Sequence, residues 1–379
     1  MKRYKLAILI AAIMFMFTGC WDSVEVNQYA FIIGMGIDAG SSPDEIVVTY
    51  QIAMPMGGED GEGAFRNVTV RAASLSEAEK ETGARLDKRI NLEHMQVLII
   101  GQEAARRGVA QYKDYFFRCA GSRRVSGFVV AEGSAEDVFN KEMEDGEIPS
   151  FYIMGLLKNN AHVSGSIVES FTPAEISRNM LRPDYVLPYL TTAPEIAIKG
   201  AALMSNVSMA GVIDEGRCEA YKWLDSGSKA METMVPVDTE IGRIIFSVSN
   251  VKTKTRIEKD GDRRAIRVRI TGDCKVSEVI EGGNMSGVNE VRLNAQGLNE
   301  AVLAGAAAQI GDRVRLQSEQ FLEYIQREVR ADVLGYETFL RNYDARWWRQ
   351  SGGQWREIYP DMTISVETGF KVTQIGAER

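Results

Sequence analysis

The sequence predicts a multi-domain α+β protein, in which an N-terminal mixed α/β region precedes a C-terminal antiparallel sheet packed with a long helix. Strand-like and helix-like segments alternate between residues 29 and 131. In the second half, apolar residues alternate as in strands between residues 244 and 270, and they recur at helical spacing between residues 298 and 333. Since a domain takes about 150 residues, a chain of 379 residues has room for two or three.

The N-terminal segment has the layout of an export signal. Lys2, Arg3 and Lys5 precede an apolar run of twelve residues, Leu6 to Phe17, which ends at Thr18-Gly19-Cys20. A membrane-spanning helix needs about 20 apolar residues. The run is therefore too short for a permanent transmembrane anchor, and we expect it to be removed.

The end of this signal predicts lipid attachment. Phe17-Thr18-Gly19-Cys20 resembles the bacterial lipobox, in which small residues precede a cysteine that carries a diacylglyceryl group. We predict a lipoprotein signal peptide over residues 1–19 and lipidation at Cys20, since two acyl chains suffice for stable anchoring on the outer face of a membrane. An ordinary signal peptide followed by a chance cysteine is the alternative.

The composition restricts partners and chemistry. A formal net charge of -8 disfavours nucleic acid as a partner and argues against non-specific adhesion to anionic lipid. After Cys20, the remaining Cys119, Cys218 and Cys274 are odd in number and widely spaced, so they predict neither a disulfide framework nor a zinc motif. We expect no cofactor and no metal.

The N-terminal region is predicted to cover residues 21–195. Apolar patterning predicts strands at residues 29–37, 46–54, 67–72, 95–100 and 125–131. Ser74 and Glu77 form a capping box that begins a helix, and a second helix is predicted at residues 110–118.

Strand signals fade after residue 134, so a helical segment that subdivides the region there is one alternative. Thr172-Pro173-Ala174-Glu175 has the N-cap, proline and acidic residue of a helix start. The prolines from Pro173 to Pro194 interrupt the periodicity, and we place the main domain boundary there.

The C-terminal α+β domain is predicted to cover residues 196–379. It begins with strands at residues 196–204 and 207–213 and continues into a four- or five-stranded, mainly antiparallel sheet. Asp260-Gly261-Asp262 predicts a hairpin turn. The helix at residues 298–333 lies on this sheet, and apolar residues from Met362 to Val372 mark a final strand.

The three tryptophans near the C-terminus are predicted to close the core beside the long helix. Trp347, Trp348 and Trp355 are large aromatic residues, and such residues bury a substantial area. An exposed patch for a partner protein is the alternative.

The motifs that look chemical have structural explanations. Gly34-Met35-Gly36-Ile37-Asp38-Ala39 has the letters of a dinucleotide fingerprint, but a turn and a strand follow it instead of a phosphate-binding helix. Ser226-Gly227-Ser228-Lys229 lacks the partner motifs of penicillin-interactive enzymes. His94 and His162 are isolated, and Glu59-Asp60-Gly61-Glu62 lacks EF-hand spacing. We assign no catalytic, cofactor-binding or metal-binding residue, and a binding or assembly role is favoured over an enzyme.

Several ordered segments resemble the C subunits of spore germinant receptors, the Ger(x)C lipoproteins. The mature chain would begin with Cys20-Trp21-Asp22 and reach Gly34-Met35-Gly36-Ile37-Asp38 soon afterwards, as in that family. Further segments with the same order are 199–204, 209–213, 221–224, 332–335, 347–348 and 355–358. Tyr336 departs from the usual phenylalanine, and Arg217-Cys218 stands where a Thr-rich turn is usual.

The resemblance covers the chain from Cys20 to Gly376 and implies a function. Such a chain is a lipid-anchored, non-enzymatic receptor subunit on the inner membrane of the spore, required for nutrient-triggered germination. Its expected partners are an A membrane subunit and a transporter-like B membrane subunit, and the resemblance gives it no germinant-binding residue.

Two other classes of protein remain as alternatives. A solute-binding lipoprotein that delivers a nutrient to a transporter would need a deep cleft between two hinged lobes, and the antiparallel C-terminal half disfavours it. An extracytoplasmic hydrolase is disfavoured by the shortage of histidines, of which there are two.

Overall fold

The computed structural model describes residues 26–54, 65–118, 127–143, 146–160, 182–225, 232–240, 242–280 and 300–375. These residues form two β-sheets with helices packed on them, which confirms the predicted α+β class. The signal segment with Cys20 and the predicted helix start at Thr172 lie outside the described residues.

The first sheet is mixed, as predicted. Its described strands are β1 Tyr29–Ala39, β2 Ile46–Ala53, β3 Phe65–Ala72, β4 Arg89–Asn91, β5 Val97–Gly101, β6 Gly127–Ala131, β7 Asp184–Thr191, β8 Ala197–Ser205 and β9 Ser208–Ile213. Their order is β3-β2-β1-β5-β6-β7-β8-β9, and β4 pairs with β1. Strands β1, β5, β6 and β7 are parallel, whereas β2–β3 on one side and β8–β9 on the other are antiparallel.

Helices cover both faces of this sheet. They are α1 Leu75–Ala84, α2 Gln102–Arg107, α3 Ala110–Arg118, α4 Ala135–Phe139 and α5 Pro149–Asn160. All residues of β5 and β6 are buried, as expected for parallel strands covered on both sides. The predicted start of α1 is confirmed, because Ser74 Oγ accepts the main-chain N–H of Glu77 at 3.2 Å.

The sequence did not specify which sheet β8 and β9 join. The sequence assigned these strands to the second half, after a boundary at residue 195, but β8 pairs with β7 in the first sheet. Hairpin patterning is local, and it does not specify which sheet a hairpin joins. The first sheet therefore extends to Ile213.

The second sheet consists, among the described residues, of β10 Thr233–Thr239, β11 Gly242–Asp260, β12 Arg263–Ile280 and β13 Ile364–Ile375. Strands β10, β11 and β12 are antiparallel, and β13 lies parallel to β12 at the edge. The predicted hairpin turn is confirmed: β11 ends at Asp260, and Gly261 has a positive φ of 53°.

The helices of the second half include the predicted long helix. They are α6 Glu215–Leu224, α7 Glu300–Glu323, α8 Tyr336–Tyr343, α9 Ala345–Ser351 and α10 Trp355–Ile358. A π-helical turn, Tyr324–Val329, extends α7 and ends at Arg330, which has a left-handed φ of 56°. The inward residues of α7, such as Ile310, Val314 and Phe321, pack into the core above the second sheet.

The core of the second half is closed by tryptophans. Trp347 is 7% exposed and Trp355 is 5% exposed, and both belong to the same core as α7, which confirms their structural role. Trp348 is half-buried and lies against Trp355, with ring centroids 5.7 Å apart.

Truncating Trp355 is predicted to destabilise the protein. Trp355→Ala should cost about 3 to 5 kcal/mol, because the substitution removes buried apolar area and leaves a cavity. The control is Tyr343→Ala, since Tyr343 is 72% exposed and its loss should change stability by less than about 0.5 kcal/mol. Urea unfolding of both variants measures the difference, and equal stabilities would contradict a structural role for Trp355.

Candidate functional site

The glycines of the fingerprint-like segment in β1 allow close packing of helices. A Cβ on Gly34 would lie 2.1 Å from Ser150 Oγ and 2.7 Å from the Phe139 ring. A Cβ on Gly36 would lie 2.9 Å from the Cβ of Ala135. These contacts explain the Gly-x-Gly pattern without a nucleotide, because only glycine lets α4 and α5 approach the strand so closely.

Asp38, which ends the same segment, caps a helix. The main-chain N–H of Ala135 donates to Asp38 Oδ1 at 2.7 Å, and that of Glu136 donates to Oδ2 at 3.0 Å. Burial raises the pKa of Asp38, while these two hydrogen bonds oppose the rise. The carboxylate thus fixes α4 on β1, and Gly101 beside it leaves the space that Asp38 needs.

The histidine and the cysteines that the structure describes have structural environments. His94 lies in a turn before β5, where its ring packs edge-on against Phe31 at 5.2 Å between centroids. Cys218 and Cys274 are buried free thiols, and burial raises the pKa of Cys274 to about 11. Cys119, His162 and the segments 59–62 and 226–229 lie outside the described residues.

Neither a cluster of potential metal ligands nor a membrane-spanning helix occurs among the described residues. No group of three or more His, Cys, Asp or Glu side chains is placed to hold a metal ion in the part of the chain that the structure describes. Within the same residues, no helix combines the length and the apolar character needed to cross a bilayer.

A polar cluster lies where the first sheet meets the helices of the second half. We call it the junction cluster, and its members are Asp184, Ser205, Asn206, Arg330, Asp332 and Arg356. Asp184 begins β7 and is 3% exposed, so its carboxylate requires partners within the protein. Those partners come from parts of the chain that are distant in sequence.

Arg356 in α10 joins three of these parts. Its Nη2 donates to Asp184 Oδ1 and to Asn206 Oδ1, both at 2.7 Å. Its Nη1 donates to Ser205 Oγ at 2.9 Å and to the carbonyl oxygen of Arg330 at 3.3 Å. The planar guanidinium can serve these acceptors at once, so one side chain connects β7, the β8–β9 turn and the end of the long helix.

Asp332 connects the cluster to α8. Its main-chain N–H donates to Asp184 Oδ2 at 2.7 Å. Its carboxylate accepts the main-chain N–H of Tyr336 at 2.9 Å and that of Glu337 at 2.6 Å, in the first turn of α8. Gly335 between them has a left-handed φ of 76°, which explains the glycine of the Asp-x-x-Gly segment.

The electrostatics of the cluster are dominated by burial. Burial raises the pKa of Asp332 to about 7, and the carboxylates of Asp184 and Glu337 add to this, while the helix N–H groups oppose it. Arg356 Nη2 lies 2.7 Å from Asp184 Oδ1, so this contact combines a hydrogen bond with an ion pair.

Sequence reasoning singled out only part of the junction cluster. Asp332 and Arg356 stood in segments that resemble a family signature, but their partners were not predicted. Asp184 follows Pro183 in a stretch where prolines obscure the periodicity. The role of Asp184 becomes visible only in the folded structure, where its partners from distant segments surround it.

A groove of about 770 Å³ runs between α7 and β13. Small residues such as Ala304, Ala308 and Gly369 form much of its lining. The charged residues of the lining are Glu300, Asp312 and Lys371. Its volume is in the range of small-molecule sites, about 300 to 1,000 Å³. It lies within the second half, whereas a hinged solute-binding protein carries its cleft between two lobes.

Comparison with known proteins gives matches along nearly the whole chain. Residues 22–192 match the family described as spore germination protein N-terminal domain, and residues 199–376 match the family described as spore germination B3/GerAC like, C-terminal. The gap between the two matches, residues 193–198, runs from the β7–β8 connection into the first residues of β8, inside the first sheet.

Individual relatives are similar over comparable lengths. Spore germination protein YndF of Bacillus subtilis (strain 168) is 22% identical over 97% of this chain and 96% of its own length. Spore germination protein B3 of the same strain is 22% identical over 94% of each chain. The crystal structure of the GerBC protein superimposes with a TM-score of 0.57 at 16% identity, covering 89% of this chain and 97% of that chain, so the fold is shared.

The raised pKa of Asp332 predicts that its contribution to stability depends on pH. The folded protein retains the proton up to about pH 7, whereas the unfolded chain releases it near 3.8, so stability from this group falls as pH rises through that window. In Asp332→Asn the side chain stays neutral at every pH. The loss of unfolding free energy that Asp332 causes as pH rises should therefore be absent from this variant.

The measurement is urea unfolding of both proteins at several pH values across that window. Asp361→Asn is the matched control, because the side chain of Asp361 is 82% exposed and its removal should leave the wild-type pH profile. Parallel profiles for wild type and Asp332→Asn would contradict the prediction.

Proposed function

The chain belongs to the spore germination family of the GerAC, or Ger(x)C, type, and on this premise we propose that it is a lipid-anchored, non-enzymatic subunit of a nutrient germinant receptor. The observation that carries the proposal is the ordered match of both family regions, with only residues 193–198 between them. In this role the protein is required for germination and acts by assembly with an A and a B membrane subunit.

The anchor in this proposal is Cys20. The basic start, the twelve-residue apolar run from Leu6 and the small residues before the cysteine support lipidation there. The described residues would then lie on the outer face of the spore inner membrane, attached to it through the N-terminus.

A non-enzymatic role is supported by how the structure uses its buried acids. Asp38 caps α4 and Asp332 caps α8, and Asp184 is engaged by Arg356 and by two main-chain N–H groups. Each carboxylate is committed to holding elements together. The hydrogen bonds of these buried acids run to the protein itself, so each acid has a structural use that requires no substrate.

Assembly is supported by the confinement that a lipid anchor provides. A tethered domain samples a small volume near the membrane, which raises its effective concentration beside integral-membrane partners. Weak protein contacts then suffice for a stable complex.

The groove between α7 and β13 favours one alternative, a lipoprotein that binds the nutrient itself.

Removing the lipidation site is predicted to release the protein from the membrane. Cys20→Ala should move the chain out of the membrane fraction or leave an unprocessed precursor, because no diacylglyceryl group can form. Fractionation and intact mass measure both outcomes, and Cys119→Ala, which removes a thiol elsewhere, is the control. Unchanged mass and membrane retention in Cys20→Ala would exclude lipidation at this residue.

Calorimetry separates the receptor subunit from the solute-binding alternative. Residues 21–379, prepared without lipid, should give no saturable heat with nutrients at the concentrations that trigger germination, since in our proposal the subunit acts by docking. Saturable binding that disappears in Ala308→Trp, which fills the groove, would support the alternative and place the nutrient there. Phe116→Trp, a large side chain in the first half, is the control for the tryptophan itself.

A further inference from the structure

The solvent face of the second sheet is basic although the whole chain is acidic. The opposite face of β12 is buried in its middle, where Ile266, Val268 and Ile270 lie in the core. The residues between them point to solvent, as strand alternation requires. We call the exposed cations in the middle of the β11–β12 pair the basic face. They are Lys252, Lys254 and Arg256 on β11 and Arg267 and Arg269 on β12.

The register places these like charges directly opposite one another. Lys254 pairs with Arg269, and Arg256 pairs with Arg267 on the neighbouring strand. Like charges in directly opposite positions destabilise a sheet. The opposed like charges therefore reduce the stability of the fold. A face that only contacts water would not need such charges, so these charges indicate a binding role.

Carboxylates on this face neutralise only part of the charge. Glu258 and Glu367 both form ion pairs with Arg267, the latter at 3.1 Å. Five cations less these two carboxylates leave a formal charge of +3, on a chain whose net charge is -8. The flanking pairs Asp260–Arg263 and Asp273–Lys371 each add one charge of either sign and leave this sum unchanged. Among the described residues, no ion pair engages Lys252, Lys254, Arg256 or Arg269.

The shape of the face restricts its partner. From Lys252 to Arg256 the strand rises by about 13 Å, and β11, β12 and β13 together span about 10 Å across the sheet. The charges lie on a broad strand surface and not in a pocket, so they fit an extended anionic surface better than a single anion. A bilayer that contains acidic phospholipids presents such a surface.

We propose that the basic face binds the surface of a membrane rich in anionic phospholipid. This inference rests on the proposed function in one respect, since a lipid at Cys20 brings the chain to a bilayer. The basic face then provides a second attachment, far from Cys20 in sequence, and the two together fix the orientation of the protein. In that orientation the second sheet faces the membrane, and α7 lies on the far side of the sheet.

The experiment uses residues 21–379 without lipid, so that the anchor cannot contribute. Cosedimentation is measured with vesicles of pure phosphatidylcholine and with vesicles in which one third of the lipid is phosphatidylglycerol. We expect binding to the anionic vesicles alone, weakened by added salt, because salt screens exposed charges. Absence of binding to the anionic vesicles would overturn the proposal, whatever the outcome for Cys20→Ala.

The face is located with a variant and a matched control. The double variant Lys254→Gln, Arg269→Gln removes one opposed pair of cations. Each cation near an anionic surface strengthens binding about fivefold, so the partition coefficient for the anionic vesicles should fall about thirtyfold. Lys80→Gln with Arg313→Gln removes the same charge from two other exposed positions and should leave binding unchanged.

Folding is not a confounding factor in this comparison. Loss of an opposed like-charge pair should leave thermal stability equal to or above that of the wild type, so reduced binding reports on the face itself. An equal loss in both double variants would mean that net charge alone governs binding, and it would overturn the proposal. A different result would also overturn the proposal. If the Lys254→Gln, Arg269→Gln variant binds vesicles normally but no longer copurifies with membrane subunits, the basic face binds an acidic protein and not the lipid.

Discussion

The buried carboxylate of Asp184 holds the two halves of the chain in one arrangement. Taking a carboxylate out of water is costly unless opposite charge and hydrogen bonds compensate for the lost solvation. Here the compensation comes from Arg356, from the N–H of Asp332 and from the N–H of Asn206. Separating the halves would remove the first two of these partners and leave the charge buried without them.

Strands β7 to β9 reinforce this connection because each of their faces belongs to a different core. Tyr185, Leu187 and Met204 pack with the first half, whereas Val186 and Leu203 belong to the core beneath α7. A hinge between two lobes would have to break one of these cores. The structure therefore favours a single body over a ligand-dependent clamp, which is consistent with a subunit that acts through docking.

Local patterns in the sequence predicted most helices and strands. They did not predict which strands or side chains pair with partners that are distant in the sequence. Ser74 and Glu77 predicted the start of α1, and the Asp260-Gly261-Asp262 turn predicted the longest hairpin, because both signals lie within a few residues. The sheet that β8 joins depends on contacts with β7 and the C-terminal helices. The same applies to Asp184, whose partners lie up to 172 residues away.

The charge of the chain gives a related lesson about function. A net charge of -8 argued against adhesion to anionic lipid, but it averages over surfaces that face different partners. Only the register of β11 with β12 brings Lys254 and Arg269 onto one face.

Eight residues lie between Cys20 and Tyr29 at the start of β1, so these two residues can be at most about 30 Å apart. A lipid at Cys20 would thus hold the first sheet near the bilayer, and contact through the second sheet would leave the two attachments at different points of one rigid body. Two separate attachments would restrict the tilt of such a body, and a restricted tilt would present the same surface of every copy to the membrane subunits that we propose as partners.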